Sequence, residues 1–64
     1  MKRRDLIREM EEAGWRLHSH GHDHDIYVKP RERKVPVPRD REIVGWFLGE
    51  IRRQTGLKQL HNYQ

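Results

Sequence analysis

A chain of 64 residues with a formal net charge of +4, in which arginine outnumbers lysine, has room for one small domain (residues 1–64) and a modest apolar core. It has no cysteine, which excludes a disulfide framework and any thiolate metal site and leaves the cytoplasm as the expected location. The basic start Met1-Lys2-Arg3-Arg4 leads into no long apolar run, so neither a signal peptide nor a membrane span is expected.

From about Asp5 to Ala13, Leu6, Ile7, Met10 and Ala13 fall on one helical stripe opposite Arg8, Glu9, Glu11 and Glu12. Asp5 suits the positive end of the helix dipole, and Gly14 is a natural C-terminal stop. The period then changes to two: Trp15 and Leu17 are expected to point inward, Arg16 and His18 outward. Ser19 to Asp23 reads as a turn centred on Gly21. A second strand over His24 to Lys29 takes its character from Ile26, Tyr27 and Val28, with both faces partly covered.

Pro30 to Arg33 is the next turn, and Lys34 to Val37 the third strand, with Val35 and Val37 on one face. Pro36 and Pro38 cannot donate to a ladder, which assigns this strand to an edge. From about Ile43 to Gln54 the helical period returns, with Ile43, Val44, Phe47, Leu48 and Ile51 inside and Glu50, Arg52 and Arg53 outside. Gly56 ends this helix, Leu57 and Leu60 are expected to fold back on the core, and His61 to Gln64 to fray. The order helix, three strands, helix predicts an α+β domain with an antiparallel meander and both helices on one face.

His18, His20, His22 and His24 occupy every second position. Imidazole is both the commonest metal ligand and the side chain that exchanges protons near neutral pH. On one uninterrupted strand the four rings would share a face and a zinc or nickel ion. Gly21 divides the run, so that His18 and His20 fall on one strand and His24 on the next, and a two- or three-histidine surface site is the most that remains. A His-rich metal-binding protein is accordingly the weakest reading. Proton transfer is the second: RNA cleavage needs a base near the 2'-hydroxyl and an acid near the leaving 5'-oxygen, with no metal. The third is a non-catalytic RNA-binding module on the same basic surface. From the residues alone, each histidine here is also what a solvated turn residue looks like.

The stretches Lys2-Arg3-Arg4-Asp5-Leu6-Ile7, Ala13-Gly14-Trp15, Gly21-His22-Asp23-His24-Asp25-Ile26-Tyr27, Val37-Pro38-Arg39 with Arg41-Glu42-Ile43, and Gln54-Thr55-Gly56-Leu57 bear on that choice. In their order and spacing they resemble the HicA family of bacterial mRNA interferase toxins, over nearly the whole chain to about Leu60. The resemblance implies a double-stranded-RNA-binding-like α-β-β-β-α fold. It also implies metal-independent cleavage of mRNA by a histidine corresponding to His24, with no cofactor, and a HicB antitoxin that covers the active site. The chain departs from the family pattern at His22 and Asp23, which precede the histidine in place of Gly or Ser and then Asn. It departs also at Asp40, where relatives often carry a second histidine, and at Val44-Gly45-Trp46 at the last helix's entry.

His24 is therefore the expected general base or acid, with His22, Tyr27 and Lys29 as candidates for catalytic support. Arg16, Lys29, Arg39 and Arg41 are the expected phosphate contacts, and Arg3, Arg4 and Arg8 either help them or only solvate the first helix. Trp15 reads as core. Trp46 lies off the inner helical stripe and is expected to be exposed and open to a partner protein.

Overall fold

The computed structural model describes residues 1–57, in the order α1 (Arg3–Glu12), β1 (Arg16–His20), β2 (His24–Val28), β3 (Val35–Pro38) and α2 (Gly45–Thr55). The strands pair antiparallel as β1-β2-β3, so the α-β-β-β-α architecture expected of the sequence is the one observed.

Helix α1 buries Leu6 and Met10 completely. It begins two residues ahead of the periodic pattern because a long-range contact holds its first turn. The Arg3 amide donates to the Arg41 carbonyl at 2.8 Å, Lys2 bridges Glu42, and the Ile43 amide donates to the Met1 carbonyl at 2.8 Å. At the other end Gly14 takes φ +104°, a conformation side chains resist, and the chain turns so that the Trp15 amide reaches the Met10 carbonyl at 2.9 Å.

Strand β1 runs to His20 and shortens the expected turn to residues 21–23. Its register shifts between Leu17 and Ser19, a bulge, and all five residues are exposed. Leu17, expected to point inward, is 47% exposed. The reason is its position: β1 is an edge strand, and the core gathers over β2 and β3. There Tyr27, Val35 and Val37 lie beneath Leu6 and Met10 of α1 and Ile51 of α2, with Trp15 and Ile43 closing the margins. Strand β3 pairs with β2 alone among the described strands, with Pro38 opposite His24 and Pro36 opposite Ile26, so the prolines sit at an edge as required.

Helix α2 begins later than the pattern predicts. Val44 is extended (φ −135°, ψ 170°) and the helix starts at Gly45, which corrects the expected inner stripe. Ile43 and Ile51 are buried and Leu48 packs on the core, but Val44 is 61% exposed and Phe47 is 38% exposed. Val44 precedes the helix, and Phe47 stands about 100° around the helix from Leu48. Gly56, at φ +75°, ends the helix and turns Leu57 onto the core. Leu60 and His61 to Gln64 lie outside the described residues.

Candidate active site

His24 opens the central strand. It stands opposite Pro38, and its carbonyl accepts the Gly21 amide at 2.7 Å, closing the β1–β2 turn. Side chains alternate along a strand, so His24, Ile26 and Val28 take the parity opposite buried Asp25 and Tyr27. The half-buried imidazole meets the Phe47 ring of the first turn of α2, with centroids 6.3 Å apart and planes inclined by 44°.

The neighbouring residue, Asp25, is the electrostatic centre of this end of the sheet. Its side chain is only 12% exposed and faces three nitrogen donors from three separate segments. Arg3 donates from Nη2 to Oδ2 at 2.7 Å, and Arg39 from Nε to Oδ1 at 2.9 Å. His20 Nδ1 lies 2.7 Å from Oδ1. The His20 and Arg39 hydrogen bonds, in that order, outweigh burial and hold the carboxyl at about 2, below its ordinary 3.8. Arg3 also donates from Nε to the Pro38 carbonyl at 2.7 Å. Arg39 spends its remaining donors on the turn: on the His22 carbonyl at 3.0 Å, the His24 carbonyl at 3.3 Å and the Gly21 carbonyl. Asp25 thus fixes Arg39, and Arg39 fixes the turn from which His24 emerges.

A sign follows for stability against pH. Between about 2 and 3.8 the unfolded chain holds a proton on Asp25 that the folded one has lost. The stabilisation is therefore complete above about pH 4 and disappears as pH falls through about 2. The melting temperature is expected to drop on acidification across that window, and to drop less steeply in Asp25→Asn. An identical slope in the variant would remove Asp25 from this role.

The other sequence-predicted residues divide between the two ends of the sheet. Arg41 lines an open cleft of about 610 Å³ with Lys2, Arg3, Arg4, Arg39 and Glu42, on the His24 side. Arg41 enters no ion pair among the described residues, whereas the Arg39 guanidinium is committed to Asp25 and the turn. His22 stands at the turn with its side chain 95% exposed. Tyr27 is three residues from His24, on the opposite parity, buried in the core. Lys29 follows the far end of β2, about 16 Å away by strand rise, its stem beside Gly14. Arg16 pairs with Val28 at that same far end and donates to the Glu11 and Trp15 carbonyls at 2.9 and 2.8 Å. The fold brings His22, Arg39 and Arg41 to His24's end and keeps Lys29 and Arg16 from it, while Tyr27, its ring in the core, has its side chain within reach of Arg3 and Asp25.

Sequence reasoning assigned no role to Asp25, His20 or Phe47. His18 is the exposed strand residue expected, its Nδ1 3.1 Å from Ser19 Oγ, but His20 is tied to Asp25 although exposed. A signal for that pair existed: with the turn confined to 21–23, His20 and Asp25 become cross-strand partners, a histidine facing a carboxylate. Among the described residues no three histidine, aspartate or glutamate side chains converge as a metal site.

A cleft lined by basic side chains, at the end of an open antiparallel sheet where His24 starts the central strand, defines a small α+β domain with room for an anionic ligand. The family model described as HicA toxin of bacterial toxin-antitoxin matches residues 3–57, and the chain belongs to the HicA toxin family. It is a toxin of the toxin-antitoxin type, which implies an antitoxin partner. No curated protein and no solved structure gives a significant match to it. Among the described residues no helix is long and apolar enough to cross a membrane.

Proposed function

We propose that this chain is a metal-independent endoribonuclease that cuts mRNA in the cytoplasm, uses His24 as its proton-transfer group, and is silenced by a HicB-like antitoxin covering that group. The observation that carries the reading is the coincidence at His24. The residue that the HicA resemblance matches to the family's histidine is a half-buried imidazole at the first position of the central strand, at the same end of the sheet as a cleft lined by four arginine and lysine side chains besides Arg39. In the reaction, imidazole takes the proton of the 2'-hydroxyl as its oxygen attacks the adjacent phosphorus. Protonation of the departing 5'-oxygen completes cleavage and leaves a cyclic phosphate and a 5'-hydroxyl end. Arg41, Lys2 and Arg4 are exposed and suited to the phosphate, while Arg3 and Arg39 keep the site in shape through Asp25. Of the candidates for support, His22 shares this end of the sheet with His24, and His20 joins it with its ring oriented by Asp25.

The test is cleavage of RNA by the purified chain in the presence of EDTA. Cutting is expected to continue undiminished and to yield cyclic phosphate ends, and induction of the chain is expected to arrest bacterial growth unless the antitoxin is co-expressed. RNA that is bound with a strong salt dependence yet left intact would establish the non-catalytic binding module instead. Loss of cutting on chelation would return the histidine run to metal binding.

A further inference from the structure

Helix α2 presents two aromatic rings in its first turn. Trp46 is 74% exposed and Phe47 38% exposed, their planes parallel within 3° and their centroids 5.1 Å apart. The same Phe47 ring touches His24 at 6.3 Å. The rings therefore form a connected series running from the imidazole through Phe47 to the indole, whose outer face is open. The core has no use for Trp46: α2 packs through Leu48 and Ile51. A small groove beside Phe47, lined by Pro38, Asp40, Glu42, Ile43 and Val44, shares Glu42 with the basic cleft, so the aromatic pair borders the surface assigned to phosphate.

We infer that Trp46, backed by Phe47, stacks an unpaired base of the RNA strand whose phosphate lies at His24, which makes single-stranded RNA the substrate and gives it a binding requirement beyond the scissile bond. The inference rests on the reading of His24 as the cleavage centre. Three observations favour a nucleobase over a partner protein on this patch. The platform is flat, two rings thick and anchored to the imidazole, the form in which aromatic side chains hold bases of single strands. The groove offers phosphate Asp40 and no cationic side chain, and its Glu42 is paired with the Met1 ammonium at 2.9 Å, so the base rather than the backbone enters there. The cations that attract phosphate line the basic cleft, which shares Glu42 with this groove. In a duplex the base faces are occupied by their neighbours, and the platform has nothing to hold.

Binding is best measured in the His24→Ala background, where the ligand stays whole, by the fluorescence anisotropy of a dye-labelled RNA, a readout that survives substitution of Trp46. A short single-stranded oligoadenylate is expected to bind and to quench the emission of exposed Trp46, and a blunt RNA duplex is not. Trp46→Ala in that background is expected to weaken oligoadenylate binding roughly 5- to 150-fold, and Trp46→Phe to restore most of it, since stacking needs a π-face and not an indole. In the catalytically intact chain, a tetranucleotide is expected to be cut more efficiently than a dinucleotide, an advantage that Trp46→Ala erases. Unchanged oligoadenylate affinity in Trp46→Ala would overturn the proposal, also where that variant loses only the antitoxin, which would make the patch a protein-docking surface. If the intact chain cuts no RNA while oligoadenylate binds by anisotropy and Trp46→Ala weakens it as expected, the nuclease reading fails and the stacking platform stands.

Discussion

His24→Ala is expected to lower the rate of RNA cleavage by about 10²- to 10⁴-fold, the range over which a well-placed general acid or base acts. The same variant should keep its circular dichroism spectrum and a melting temperature near that of the parent. The expectation of an intact fold comes from the surroundings of the ring. His24 is half-buried on the parity opposite the core, and among the described residues its neighbour is the Phe47 ring, a contact whose loss leaves no buried polar group without a partner. The elements that shape the turn act through the His24 backbone and through Asp25, and they persist in the variant. His18→Ala, in an exposed position on β1, is the matched control and is expected to cut RNA at the parental rate. Cleavage retained in His24→Ala would remove the assignment. Loss of cleavage supports it only where cooperative melting is retained, so the two measurements belong together.

The largest loss of stability is expected from Trp15→Ala. Trp15 is the largest of the fully buried side chains and sits where the chain leaves α1 for β1, its amide bonded to the Met10 carbonyl at 2.9 Å. Truncating a buried aromatic of this size costs about 3–5 kcal/mol in transfer free energy and cavity. A chain of 64 residues has on the order of 3–10 kcal/mol of total stability to lose. The variant is therefore expected to be partly or wholly unfolded at 25 °C, with a broad or absent thermal transition and no protection against protease. A loss below about 1 kcal/mol by urea titration would mean that the pocket around Trp15 collapses without penalty, contrary to the close packing of protein interiors. The contrast between the tryptophans is itself a check: Trp46→Ala removes a ring of the same size from the surface and is expected to leave the melting transition in place.

Much of this molecule is readable along the chain. The periods of α1 and of β2, the glycine stops at 14 and 56, and the edge character of β3 all express preferences of a residue and its nearest neighbours, and the structure bears them out. The ordered motifs from Lys2 to Leu57 led to the HicA family, and the family model covers residues 3–57. That resemblance singles out His24 among four alternating histidines. The weaker readings were those that needed to know what covers a surface. Leu17 and Phe47 have the right phase for burial and remain exposed, because phase says which way a side chain points and not whether another element lies there.

The site shows the same division. Sequence by itself determined the excess of positive charge and the histidine beside a glycine turn, since charge and motif are properties of the chain. Tertiary structure alone decided which cations line an open cleft and which are consumed in building the fold around it. Asp25 gathers Arg3 from 22 residues before it and Arg39 from 14 after it, and so turns Arg39, an expected phosphate contact, into a support for the turn, with Arg3 bracing the same carboxylate. Arg16 and Lys29, strand neighbours of the site in sequence, end up at the far end of the sheet. Phe47 comes to His24 only because α2 starts at Gly45. The physical reason is common to all of these. A hydrogen bond, an ion pair or a ring contact depends on separation in space, and separation is set by the packing of whole elements, which no local pattern of residues encodes.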